Sequence, residues 1–280
     1  MLAYINWSTD SEIVNILGIS IRWYGLLFAS AFFLGYKLTF KMFKHERLPD
    51  EWLDKLFMYV MIATIAGARL GHCLFYDFAY FKDHILEIFL PVRFEPTFKF
   101  IGYQGLASHG AAIGIITALW YYSKKVSKKP FLWILDRVVL SIALAGFFIR
   151  MGNLMNSEII GIKTTMPWGF RFLNAGVSDP MEPRHPSQLY EALCYLLTFG
   201  VLMYSYWRTN LKEKQGVLFG MFLIFVFTAR FFIEFLKENQ EAFEESMFLN
   251  MGQILSIPFI ILGIGVVLYS LEKNKKLCQN

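Results

Sequence analysis

The stretch Arg150-Met-Gly-Asn153-Leu-Met-Asn156-Ser-Glu158-Ile-Ile-Gly161 places an arginine, two amides and a carboxylate at the end of an apolar run, Val138–Ile149. A bilayer-spanning helix ordinarily ends in apolar or aromatic residues at the interface. On a helix, residues three apart share a face, so Arg150 lines up with Asn153, and Asn153 with Asn156. Such a face offers a cationic fork and amide groups, the donor set that holds a phosphate or a carboxylate. An interfacial loop that merely anchors a helix end uses the same residue types, and those types alone support the two readings equally.

Other residues have chemical potential. Arg230 and Glu234 lie four apart on an otherwise apolar helical stretch, Phe222–Phe235, where an intrahelical ion pair can form, although charges within a membrane point first to function. His109 is flanked by Ser108 and by Gly110-Ala111. An imidazole, with an ordinary pKa of about 6.5, can take a proton from a thiol or hydroxyl near neutral pH. The small residues beside it allow close helix approach or room for a lipid chain, and Gly67, Gly71 and Gly114 read as packing residues. His185-Pro-Ser187-Gln188-Leu-Tyr190-Glu191 opens a helix after a proline, with Ser187 as its cap. Capping leaves Gln188 and Glu191 unexplained. The chain has no metal-ligand spacing, P-loop, dinucleotide fingerprint or Gly-x-Ser-x-Gly, so no metal or other cofactor is expected and an acyl-enzyme hydrolase is disfavoured.

The elements that must position these groups are apolar helices. Of the 280 residues, 56% are hydrophobic and only 18% charged, against about 25% charged in a soluble domain. The fold class this implies is all-α: a polytopic membrane protein forming one domain, residues 1–280. Seven transmembrane helices are predicted: Ile16–Leu38, Leu56–Tyr76, Gly105–Tyr122, Phe131–Ile149, Ser187–Trp207, Val217–Leu236 and Gln253–Leu271. Two long loops, 77–104 and 151–186, separate them on one side, and His84–Leu90 is apolar enough to lie at the interface. Met1–Glu12 has no basic n-region, so no cleavable signal peptide is expected. Cys73, Cys194 and Cys278 are far apart and suggest neither a disulfide framework nor a zinc site.

Lysine and arginine set the orientation. With the N-terminus outside, the internal segments 37–55, 123–130, 208–214 and 273–276 carry 15 basic residues, and the external ones carry 7. The positive-inside rule therefore places the N-terminus outside and the C-terminus in the cytoplasm. The net charge of +5 is explained by this bias, and no nucleic-acid partner is expected. Five basic residues remain within or at the ends of spans, and all are arginine: Arg22, Arg69, Arg137, Arg150 and Arg230. In this topology Tyr24, Arg69, His109, Arg150, Gln188 and the Arg230–Glu234 pair all lie toward the outer face. Arg137, beside Asp136, sits near the inner end and is expected to pair locally or snorkel. An anion-binding cavity opening toward the outer leaflet follows, and its anion could be a phospholipid headgroup.

In the order and spacing of these motifs, over nearly the whole chain, the sequence resembles the prolipoprotein diacylglyceryl transferase family. The matching segments are Arg150–Gly161, Ile21-Arg22-Trp23-Tyr24-Gly25, Gly67-Ala-Arg69-Leu-Gly71, Ser108-His109-Gly110, His185–Glu191 and Arg230-Phe-Phe-Ile-Glu234-Phe. The resemblance implies an enzyme of the bacterial inner membrane, with its active site toward the outer face. It implies transfer of diacylglyceryl from phosphatidylglycerol to the lipobox cysteine in the signal peptide of a prolipoprotein, giving a thioether and glycerol phosphate. It assigns phosphatidylglycerol binding to Arg150, an essential role to Arg230 and thiol deprotonation to His109. Tyr24, Asn153, Glu158, Gly161 and Glu234 match positions important for activity, and Arg69 and Gln188 join the substrate-binding set. Ala111 replaces a glycine common in the family, and Val226 replaces a tyrosine of some members. A phospholipid or small-anion transporter is the competing class, disfavoured because the chain halves show no repeat and the polar groups gather on one side. A scaffold whose charges only lock helices would tolerate charge-swapped pairs.

Overall fold

Backbone groups in lipid must be satisfied within their own segment, and the apolar runs accordingly fold as helices. The computed structural model describes residues 4–16, 19–90, 92–94, 98–100, 105, 107–239, 244 and 247–279. Three strands come first, β1 (Ile5–Trp7), β2 (Glu12–Ile16) and β3 (Ile19–Arg22). Helices α1 (Trp23–His45), α2 (Asp50–Phe75), α3 (Phe78–Phe81) and α4 (Ile85–Phe89) follow. Next are β4 (Val92–Arg93), β5 (Lys99–Phe100), α5 (Ser108–Tyr122), α6 (Phe131–Met155) and β6 (Phe170–Phe172). The chain finishes with α7 (Ser187–Arg208), α8 (Val217–Ile233) and α9 (Met251–Gln279). Among the described residues, six helices (α1, α2, α6, α7, α8 with its continuation to Leu236, and α9) are long and apolar enough to cross a membrane. The protein is a mostly helical, multi-pass membrane protein.

Two sequence expectations change. The first predicted span starts at Trp23, not Ile16, because Glu12–Ile16 and Ile19–Arg22 pair as an antiparallel hairpin. The β-branched residues of this stretch favour extended backbone, and Ser20 Oγ fixes the pair by donating to Glu12 Oε2 at 2.6 Å. The third predicted span is a helix of 15 residues that runs on into a π-helical turn, Ser123–Ser127. Residues 101–104 and 106, at its expected start, lie outside the described residues.

The chain forms two compact units, one of Phe40–Ile134 and one joining Met1–Thr39 to Leu135–Asn280. In the first, α2 and α5 pack through glycines: a Cβ on Gly71 would lie 2.6 Å from Gly110 Cα, and one on Gly114 2.6 Å from the Ala63 carbonyl oxygen. The packing role read for Gly67, Gly71 and Gly114 holds. The α4 turn is inside out, exposing Ile85, Leu86 and Phe89 while burying Glu87. Burial alone would push the Glu87 carboxyl up, but donation from Phe94 N–H (2.8 Å) and Tyr80 Oη (2.6 Å) outweighs it and holds the group below its ordinary value.

In the second unit α1 meets α6 through Thr39 Oγ1 and Ser141 Oγ, 2.9 Å apart. Asp136, beside Arg137, is fully buried. Its oxygens accept from the backbone N–H groups of Gly216 (2.6 Å) and Phe219 (2.8 Å) and so cap the start of α8. Helices α8 and α9 approach at Gly220 and Gly263, and Phe227 stacks on Phe259 with ring centroids 4.4 Å apart. Strand β1 pairs in parallel with β6, which lies in the long segment after α6. Leu154, Ile160, Phe170 and Phe172 make a small core there, against which Trp7 packs.

Candidate functional site

Helix α6 runs six residues beyond the apolar span read from the sequence, so Arg150 and Asn153 occupy its last turns. Their shared face is real: Arg150 Nη1 donates to Asn153 Oδ1 at 3.2 Å. The Asn153 amide donates in turn to Glu158 Oε2 at 3.2 Å, and the Asn156 amide to Glu158 Oε1 at 3.1 Å. The chain can reverse here only by left-handed backbone, with φ of 53° at Ser157 and 56° at Ile159. A β-branched residue with positive φ is strained. Side chains from the start of α7 hold it in place: Ser187 Oγ donates to the Ile159 carbonyl at 2.7 Å, and the buried Gln188 amide donates to the Glu158 carbonyl. Trp7 Nε1 satisfies the Leu154 carbonyl at 3.0 Å, closing the end of α6.

Gly161 follows this turn and is clamped between two backbones. A Cβ there would meet the His185 carbonyl oxygen at 2.5 Å and the Leu236 carbonyl oxygen at 2.6 Å. Its own N–H donates to His185 O at 2.9 Å, and Arg184, paired with Glu238, reaches the Gly161 carbonyl at 3.4 Å. His185 itself is turned inward. Trp168 Nε1 donates to Tyr190 Oη at 2.8 Å, which leaves the Tyr190 proton to point at His185 Nδ1, 3.1 Å away. Burial pushes the His185 pKa down, in keeping with a neutral ring.

The charges form one buried cluster. Arg150 Nε pairs with Glu191 Oε2 at 2.7 Å, and Glu191 is wholly inaccessible to solvent. The other Glu191 oxygen pairs with Lys237 Nζ at 2.9 Å, and Lys237 also reaches Glu234 Oε2 at 3.0 Å. This corrects two expectations. Glu234 pairs with Lys237 and not with Arg230, because α8 ends at Ile233 and Glu234 opens a 3-10 turn that redirects its side chain. Lysine is also not excluded from the polar interior. Lys237, counted from the sequence as an external loop residue, is only 5% exposed. Its spacing three residues after Glu234 was a readable signal. Among the described residues the half-buried Arg230 guanidinium has no ion pair or hydrogen bond. Tyr24 lies against this region, its ring packed over Gly152, where a Cβ would come within 2.8 Å of it.

Of the residues singled out in the sequence, this unit gathers Arg150, Asn153, Glu158, Gly161, Gln188, Glu234 and Tyr24 around the ends of α6, α7 and α8. Arg230 lies one turn before Glu234. Arg69 and His109 belong to the other unit. There Arg69 donates to the carbonyls of Glu87 (2.6 Å) and Ile88 (3.2 Å) with its guanidinium 4.8 Å above the Phe81 ring, so it ties the α3–α4 turn to α2. His109 is exposed in the first turn of α5, beside Gly110, which is seated on α2. Among the described residues no cluster of three or more His, Cys, Asp or Glu could hold a metal ion.

Residues 11–269 match the family described as prolipoprotein diacylglyceryl transferase. The chain is 46% identical over 276 residues to the phosphatidylglycerol–prolipoprotein diacylglyceryl transferase of Bacteroides fragilis, covering 98% of each chain. It is 44% identical to the protein of the same name from Porphyromonas gingivalis, covering 96% of each, and 40% identical to that of Chloroherpeton thalassium, covering 97% and 96%. With a match of this length and a polar cluster built from the segments that carry the resemblance, the chain belongs to the prolipoprotein diacylglyceryl transferase family.

Proposed function

We propose that this membrane enzyme transfers the diacylglyceryl group of phosphatidylglycerol to the lipobox cysteine of a prolipoprotein. The observation that carries the reading is the fixed guanidinium of Arg150, held by Glu191 and Asn153 at the end of a membrane helix. Tyr195 also hydrogen-bonds the Arg150 side chain, and with these three partners the five-donor fork still keeps N–H groups for a phosphate. Arg230, half-buried on α8, is a second cation for the same anion.

The substrate thiol has a pKa of about 8.5, so little of it is thiolate at neutral pH. The resemblance to the family assigns uptake of its proton to His109; the sulfur attacks the glycerol carbon bearing the phosphate ester. The S–C bond forms, the C–O bond breaks, and the electron pair leaves on the phosphate oxygen of glycerol phosphate. Arg150 and Arg230 stabilise the charge that builds there. Glu158, Asn153 and Gln188 keep the turn below Arg150 in shape, and Gly161 lets the backbones on either side of it close.

The topology belongs to the same proposal. Helix α5, with 15 residues or about 22 Å, is the proposed seventh span, shorter than the roughly 20 residues usual for a crossing, and the lysine-bearing π-helical turn lies at its cytoplasmic end. A count of seven spans, with 15 basic residues on one side against 7, supports a topology with the N-terminus outside, the C-terminus in the cytoplasm and the Arg150 cluster toward the outer face of a bacterial inner membrane. A phosphatase reporter fused after Asn280 is expected to be silent; activity of that fusion in the periplasm would overturn the orientation.

The reaction is tested with purified protein in detergent, phosphatidylglycerol and a short lipobox peptide, read by mass spectrometry. A peptide mass gain of one diacylglyceryl group is expected. It should be lost with a Cys→Ser peptide and strongly slowed by His109→Gln. Lipid binding without transfer would instead favour a lipid or small-anion transporter.

A further inference from the structure

We propose that Lys237 is a positioning residue for the lipid phosphate: it holds Glu191 between two cations and balances Glu234, so that Arg150 retains its positive charge for the ligand. The inference rests on the transfer reaction proposed above. Glu191 divides its oxygens, Oε2 to Arg150 at 2.7 Å and Oε1 to Lys237 at 2.9 Å, and Lys237 reaches Glu234 at 3.0 Å. Two cations and two carboxylates thus cancel in a region where Glu191 is fully buried and the Lys237 side chain is 2% exposed. With Lys237 neutral, Arg150 would be the one cation still ion-paired within the cluster, among the described residues, against two buried carboxylates. The cluster would carry a net negative charge beside a site for an anion, and low local dielectric makes that unfavourable.

The backbone supports a positioning role. Lys237 forms a β-bridge with Gly161, flanked by Ile162 N–H donating to Leu236 O at 3.0 Å and Glu238 N–H donating to Ile160 O at 3.3 Å. The segment after Arg150 is therefore tied to the end of α8 at the residue whose ammonium crosses to α7. On the far side Gly252 of α9 leaves room for the Glu234 carboxylate, which a Cβ would meet at 2.4–2.7 Å. Lys237 needs no contact with substrate to act. It sets the charge and the place of the groups that make that contact.

The test uses the full-length protein in detergent with phosphatidylglycerol and a lipobox peptide. Lys237→Met is expected to raise KM for phosphatidylglycerol by about tenfold or more while the peptide KM stays within about twofold, because only the anion senses the charge. Lys237→Arg keeps the charge and is expected to stay within about threefold of the parent. A purely structural lysine would lower the amount of active enzyme and leave the lipid KM unmoved; that result, or an equal defect in Lys237→Arg, overturns the proposal. Removing one partner of a buried pair is strongly destabilising, so Lys237→Met could fail to fold. Lys237→Gln keeps a hydrogen-bond donor toward Glu191 without the charge, and in folded protein it is expected to raise the lipid KM by about tenfold as well. A lipid KM within about threefold of the parent in folded Lys237→Gln overturns the proposal too. If the parent protein itself transfers nothing, the transfer reaction fails and not the role of Lys237.

Discussion

Arg150→Lys is expected to lower the transfer rate by roughly a hundredfold or more, in a protein that still folds. Lysine keeps the positive charge, so Glu191 stays paired with cations on both sides. What is lost is the planar fork. Arg150 contacts Glu191 through Nε and Asn153 through Nη1 at once, whereas an ammonium is a single point donor that cannot span both partners and a phosphate. Removing one donor aimed at charge developing in a transition state typically costs 10²–10³ in rate. The measurement is the initial rate of diacylglyceryl gain on a lipobox peptide, alongside a thermal melt of the purified variant. A variant with near-parental rate would mean that charge alone suffices and that Asn153 and Glu191 do not aim the group.

Gly161→Ala is expected to be nearly as damaging by a different route. The new Cβ would lie 2.5 Å from one backbone carbonyl oxygen and 2.6 Å from another. Neither belongs to a side chain that can rotate away. To admit the methyl group, the segment holding His185 or the segment at Leu236 must move, which breaks the bond from Gly161 N–H to His185 O and the bridge to Lys237. Overpacking of a tight site costs about 1–3 kcal/mol, and loss of the adjoining hydrogen bonds adds to that. A fall in melting temperature of about 5–10 °C is expected, with most of the activity lost because Glu158 and Lys237 lie on the displaced segments. An unchanged melt together with full activity would remove the close-approach argument for this glycine.

The parts of the site legible in the sequence were those written as local spacing. Arg150 and Asn153, three apart, form the predicted pair because α6 continues through both. Ser187 opens α7 but does not cap it: Pro186 holds the cap position, and the Ser187 and Gln188 side chains turn outward to satisfy carbonyls of the Glu158–Ile159 turn, a contact about thirty residues away in sequence. Arg230 and Glu234 show where spacing misled. Four residues apart on a continuous helix they would pair, but the helix tightens at Glu234 and the carboxylate finds Lys237 instead. Trp7 carried no signal at all, since its hydrogen bond to the α6 terminus exists only because β1 lies beside β6.

By itself the sequence determined that this is a helical membrane protein, because long apolar runs leave the backbone no other way to satisfy its hydrogen bonds in lipid. It also determined which polar residues had to be accounted for, since charges are costly in such runs and each needs a partner or a task. The tertiary structure decided which partner each one has. Glu191 joins Arg150 to Lys237 across three helix ends, and Arg69 spends its donors on the α4 backbone. Those pairings depend on where helices stop and how the loops between them close, and hydrophobic periodicity records neither.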